Sequence, residues 1–165
     1  MKKFFDVFTD IVLNSALVFG ICFILMSIGF DSLPFRINFL NDGGMSPTLC
    51  EGDYYVGYNY TKQYSRGDVV IVDNLDNGQV IKRIIGCPHD KIEVIDGITY
   101  VNGVEDKYGN TDLLTRIKDF NFSITLGDNE YFVLGDNRNN SFDCRHTNSH
   151  RISGDSIKSK LVCLN

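Results

Sequence analysis

Residues 11–30 read IVLNSALVFGICFILMSIGF, an apolar run with no charged side chain, and beyond it the pattern changes to short period-two runs broken by Gly, Asn and Asp. A helix of that length spans about 30 Å, the thickness of a bilayer's hydrocarbon core. Asn14, Ser15 and Ser27 are tolerated in such a helix because Ser and Asn side chains bond to backbone or to a neighbour. The pattern therefore predicts a cytoplasmic N-terminus over 1–10, a single transmembrane helix over 11–30 and one extracytoplasmic domain over 31–165. Lys2 and Lys3 before the span, against Asp31 and Arg36 after it, set that orientation by a small margin. A cleaved secretory signal is the competing reading. It calls for a shorter apolar core and a small-x-small exit, whereas this run is long and no clean Ala-x-Ala follows it.

The domain that follows reads as mainly β. Strands are predicted at 53–59, at Val69-Val70-Ile71-Val72, at 79–86, 91–95, 99–101, 123–126 and 130–134, with 157–164 closing the sheet. Asn77-Gly78, Asp96-Gly97 and Asn102-Gly103 are hairpin turns, since both central residues must take positive φ. Residues 105–122 are polar and irregular and read as a loop or insertion. Fifteen glycines against three prolines agree with many turns and few breaks. A length of 165 residues holds one compact domain and an appendage.

Charge narrows the partners. The net charge of −5 and the scattered Lys and Arg give no basic stripe, so nucleic acid is not expected. Cys50, Cys87, Cys144 and Cys163 allow two disulfides in three pairings, or serve as small buried hydrophobes. None has the close spacing of a zinc knuckle, and no metal is expected.

Three stretches carry candidate chemistry. In Asp42-Gly43-Gly44-Met45-Ser46-Pro47-Thr48-Leu49 the glycines admit close backbone approach, and Pro47 biases Ser46 towards an extended edge suited to a docking peptide. Lys82 shares a strand face with Val80 and Ile84; burial there lowers an amine's pKa and makes it a general base near neutrality. The alternative is a lysine snorkelling from a sheet edge. In residues 135–145, Asp136, Arg138, Asp143 and Arg145 are placed to pair and hold a loop, and Ser141 offers a hydroxyl to orient an amine. His89, His146 and His150 read as loop residues without a catalytic part.

Together these stretches resemble the type I signal peptidases. Gly44-Met45-Ser46-Pro47-Thr48-Leu49 is similar to their Ser-Met-x-Pro-Thr-Leu box, and Gly67-Asp68-Val69-Val70 with residues 80–90 resembles their lysine box. Residues 135–145 resemble their Gly-Asp-Asn-Arg-x-x-Ser-x-Asp-Ser-Arg box. Order and spacing match along nearly the whole chain. The resemblance implies a compact antiparallel β-rich catalytic domain on the outer face of a Gram-positive cell membrane. It implies a Ser/Lys dyad without metal or cofactor, and signal peptides of exported preproteins, pilins among them, as partners beside membrane lipid. It makes Lys82 the general base and Ser141 the residue that orients it. Asp143 and Arg145 form the brace, with Asp136 and Arg138 supporting the same loop. The substrate-binding set is Asp42, Met45, Pro47, Leu49, Val80 and Ile81, with Met45 and Leu49 at the pocket for small residues.

The departures matter as much. The nucleophile position is Gly44, which has no side chain, so no acyl-enzyme forms there. The family's oxyanion-hole hydroxyl falls at Asp42, and a carboxylate beside a developing oxyanion is unfavourable. Cys144 replaces a serine, and residues 148–151 replace a Gly-containing segment. Ser46 lies about 6–7 Å further along an extended segment, too far to substitute. Two origins fit Gly44: a serine replaced in the laboratory, or natural divergence to a non-cleaving relative that binds exported precursors, as in pilus assembly. Asp42 and the altered tail favour divergence. A self-cleaving repressor-type Ser/Lys peptidase shares the dyad but lacks the anchor.

Overall fold

The computed structural model describes residues 15, 17–21, 23, 35–58, 63–73, 78–109 and 121–162. They belong to two units, Met1–Pro34 and Phe35–Asn165. In the first, residues 15, 17–21 and 23 are helical, and Leu17, Val18, Phe19, Ile21 and Phe23 are all exposed. Among the described residues no helix is long and apolar enough to cross a membrane. Most of the helix expected over 11–30, and all of 1–10, lie outside the described residues.

The second unit is built from antiparallel strands. They are β1 (Phe35–Phe39), β2 (Tyr54–Tyr58), β3 (Val69–Asp73), β4 (Gln79–Gly86), β5 (Lys91–Ile95), β6 (Ile98–Val101), β7 (Val104–Glu105), β8 (Phe122–Thr125), β9 (Glu130–Leu134), β10 (Ile152–Ser153) and β11 (Ile157–Val162). One sheet has the order β1-β2-β11-β3-β4-β9-β10 and the other β7-β6-β5-β8. The expected turns at Asp96-Gly97 and Asn102-Gly103 form with positive φ at all four residues, 50° and 80°, then 54° and 77°. Asn77 of the third expected turn is outside the described residues.

Strand β3 shows why the core divides in two. Its Val69, Val70, Ile71 and Val72 are all buried, and period two sends alternate residues to opposite faces. Val70 and Val72 join the larger cluster with Ile84, Phe132 and Leu134. Val69 and Ile71 join Leu40, Met45, Leu49, Ile81 and Leu161. Strand β4 obeys the same alternation up to Ile84, then slips register against β9 between Ile84 and Gly86. That irregularity lets Ile84 and Ile85 both enter the larger cluster.

Several expectations need correction. Residues 42–49 do not form an extended edge: Ser46 N–H bonds Gly43 O at 3.2 Å and Leu49 N–H bonds Met45 O at 3.0 Å, so the segment is wound into successive turns. Its apolar Met45 and Leu49 are thereby folded into the core. Strand β1 was not foreseen, because FRINF follows directly on the apolar run and carries no turn signal of its own. Strand β11, expected over 157–164, joins the sheet over Ile157–Val162 and lies between β2 and β3. The loop expected over 105–122 contains Glu105 of β7 and Phe122 of β8, and its residues 110–120 lie outside the described residues.

Candidate active site

Lys82 sits directly across from Val70 on β3, and its residue exposure is 1%. Strand alternation places it between Val80 and Ile84 on an apolar face, so the snorkelling alternative is not what the structure adopts. Its Nζ donates to Ile81 O at 3.0 Å and lies 3.7 Å from Asp42 Oδ2. Burial pushes the amine's pKa down, while the charges of Asp42 and Asp143 and a hydrogen bond with Asp42 pull it part of the way back.

The turn at 42–49 delivers Gly44 to the same spot. A Cβ placed on Gly44 would lie 3.3 Å from Lys82 Nζ, and 3.3 and 3.2 Å from Asp42 Oδ1 and Oδ2. Asp42 Oδ1 also accepts the Gly44 N–H at 2.8 Å. The carboxylate thus stands over the Gly44 amide and beside the amine. Ser46 is directed elsewhere, its hydroxyl 3.8 Å from Cys50 Sγ on an exposed contact.

The 135–145 loop holds Gly44 from the other side. Asn137 N–H bonds Gly44 O at 3.0 Å, and Asn137 Nδ2 bonds Gly43 O at 3.1 Å. Gly135 is required here by close approach. A Cβ on it would meet Ser141 Oγ at 2.1 Å and Gly44 O at 2.5 Å. Gly135→Ala is therefore expected to destabilise the domain by about 1–3 kcal/mol, the usual cost of overpacking. Thermal unfolding measures it, and an unchanged midpoint would contradict this packing.

Ser141 departs from its expected role. Its Oγ is buried with no hydrogen-bond partner among the described residues, so it does not bond the Lys82 amine in this structure. The four charged residues of the loop also pair differently from a closed set of their own. Asp143 and Arg145 do pair, through Nε–Oδ1 at 2.9 Å and Nη2–Oδ2 at 2.8 Å. Burial alone would raise the Asp143 carboxyl. Hydrogen bonds from His146 and Arg145, the Arg145 charge and the Gly135 N–H outweigh it and hold the group well below the usual carboxylate range. Asp136 instead takes a bidentate contact from Arg83 of β4, at 2.8 and 2.5 Å, and a hydrogen bond from Thr48 Oγ1 at 2.5 Å. Arg138 reaches Asp106 at 2.6 Å and also donates to Tyr108 O. Removing one partner of such a buried pair costs about 3–5 kcal/mol, because a charge is left uncompensated.

Arg83, Thr48 and Asp106 are the supporting residues that sequence reasoning missed. The one available signal was Arg83 itself: following Lys82 in a strand, it must point to the opposite face, where a cation needs a partner. The histidines also do more than fill loops. His150 lies flat on Phe122, ring centroids 3.8 Å apart, with Nδ1 3.0 Å from Cys144 O, and His146 stacks on Phe142. Cys50, Cys87 and Cys144 are free thiols, while Cys163 lies outside the described residues. Complete burial pushes the Cys144 thiol up to about 12, so it is an inert core group.

On the outer side of Asp42 runs a cleft of about 300 Å³ lined by residues 39–42, Tyr55 and residues 79–81. Of the expected substrate-binding residues, Asp42, Val80 and Ile81 line it. Met45 and Leu49 lie buried in the core, and Pro47 is exposed on the turn.

A family profile described as "Signal peptidase, peptidase S26" matches residues 10–162. The chain belongs to that family. Signal peptidase I S of Bacillus subtilis (strain 168) is 32% identical to it over 144 residues, 79% of this chain and 76% of that protein. Signal peptidase I of Bacillus licheniformis is 33% identical over 115 residues, which span 62% of this chain and 61% of that protein. A solved signal peptidase I from Enterococcus faecalis V583 covers 61% of this chain and 97% of its own at 27% identity, with a TM-score of 0.49.

Proposed function

We propose that the unit from residue 35 onward is a signal-peptidase domain that receives an extended segment of an exported preprotein and, with Gly44 in place of the serine, performs no covalent step on it. The observation that carries this reading is the 3.3 Å between Lys82 Nζ and the point where a side chain at position 44 would begin. In a Ser/Lys mechanism the amine takes the hydroxyl proton as the oxygen attacks the scissile carbonyl, and here the attacking hydroxyl is lacking. Strand β4 adds a place for the segment. Its pairing with β9 covers Arg83, Ile84 and Gly86, and among the described residues no strand pairs with 79–82 on that side. A peptide added there gains main-chain bonds and lies along the Asp42 cleft.

Two versions of this function differ in whether cleavage belongs to the chain. The first is a signal peptidase I that removes signal peptides by a Ser/Lys dyad and is silenced at Gly44. The second is a non-cleaving homologue that holds exported precursors, such as pilins, during surface assembly. The Asp42 carboxylate favours the second, since it sits on the amide and amine that a dyad would use. Exposed apolar residues on the helical segment of the first unit, together with the Bacillus relatives, support a single-pass protein of a Gram-positive membrane with its N-terminus in the cytoplasm.

Titrating a fluorescent synthetic signal-peptide segment, spanning a small residue and its flanks, into the full chain in detergent is expected to give saturable anisotropy. Binding no stronger than that of a scrambled segment would sink the reading.

A further inference from the structure

We propose that the Asp42 carboxylate sets the specificity of this cleft by occupying the anion position at the Gly44 amide, so that the cleft accepts an uncut polypeptide and turns away one ending in a free carboxylate. The inference rests on the peptide-receiving reading of the cleft and adds which chemical form of the peptide it takes.

The geometry is that of a site filled from within. Asp42 Oδ1 uses the Gly44 N–H at 2.8 Å, and Oδ2 faces Lys82 Nζ at 3.7 Å. Both oxygens lie within 3.2–3.3 Å of the place where a Gly44 side chain would start. The two groups able to receive an oxyanion or a terminal carboxylate are therefore already engaged by one acid side chain. The side chain of Asp42 is 51% exposed and lines the cleft.

A neutral amide at that point adds no charge. A terminal carboxylate adds one beside Asp42, and the result has the same sign whichever state Lys82 is in. With a cationic Lys82 the pair is neutral and the ligand brings an unpaired negative charge; with a neutral amine it places two carboxylates side by side. Asp143, which also acts on Lys82, is committed to Arg145 and offers no relief. The product of a cut before the cleft, a peptide with a new C-terminal carboxylate, is thus disfavoured, while the continuous chain is retained.

Two synthetic peptides of one sequence, ending in the same small residue as either the C-terminal amide or the free acid, test this on the full chain in detergent. The amide is expected to bind at least about tenfold more tightly at low salt, the gap narrowing at high salt because Asp42 is half exposed. Asp42→Asn keeps an acceptor for the Gly44 N–H and removes the charge, so it is expected to abolish or reverse the preference. Equal binding by the unaltered chain, or a preference unchanged in Asp42→Asn, overturns the proposal and leaves the peptide-receiving reading standing. Binding of neither peptide overturns both. A separate readout is the 15N NMR titration of the Lys82 amine without ligand, which Asp42→Asn is expected to move to lower pH. An unmoved titration would show that Asp42 does not act on the amine.

Discussion

Gly44→Ser in detergent or lipid is expected to cut a good preprotein after a small residue, at a rate on the order of 10³-fold or more above the unaltered chain, as loss of a catalytic nucleophile would imply in reverse. The new Cβ fits, because its tight neighbours are a half-exposed carboxylate and the far end of a lysine, at 3.2–3.3 Å. One bond further out the hydroxyl comes within reach of Lys82 Nζ, which is where a general base must be. Asp42 limits the gain by holding the Gly44 N–H. The double variant Asp42→Asn/Gly44→Ser is therefore expected to be faster than Gly44→Ser alone. Product appearance on a gel, with the new N-terminus read by mass spectrometry, decides it. An uncut preprotein with both variants would remove cleavage from this chain's lineage.

Lys82→Met in the Gly44→Ser background is expected to lower cleavage about 10²–10⁴-fold, the usual worth of a positioned general base. Stability should hold or rise, since a buried ammonium is exchanged for an apolar side chain of similar length in an apolar site. In Gly44→Ser itself the rate should climb with pH as the amine loses its proton, and burial sets that climb below the ordinary value of 10.5. The same shift acts on folding. Between the depressed folded pKa and 10.5 the unfolded chain binds a proton that the folded chain does not, so stability rises with pH across that window. Lys82→Met should flatten both dependences. Retained cleavage, or a pH profile that survives the substitution, would assign the proton transfer elsewhere.

Much of this was legible from residue order. Period-two runs located most strands, and Asp96-Gly97 and Asn102-Gly103 located their hairpins, because positive φ at two successive positions restricts the chain to few residue types. Lys82 was legible for a related reason: one cation between Val80 and Ile84 on a strand face is either buried or at an edge, and the covering strands decide which. Gly44 was legible only through the resemblance. The local Asp143–Arg145 pair was legible, but the long-range charge pairing was not. Arg83 meets Asp136 and Arg138 meets Asp106 across 53 and 32 positions, and no local pattern encodes a partner at that range. The wound form of 42–49 escaped for the same cause, since it depends on Met45 and Leu49 finding a distant core.

The Asp136 carboxylate, shared by Thr48 and Arg83, has a bearing on when the molecule acquires its site. These contacts close chain segments of 88 and 53 residues. Pairings of such long reach must meet their loop-closure cost before they stabilise the chain, and they belong to topologies that assemble slowly. The juxtaposition of the amine strand and the glycine turn is therefore expected to form late, with these long-range contacts. On the proposed function, competence to receive a polypeptide would therefore arrive only with the finished topology.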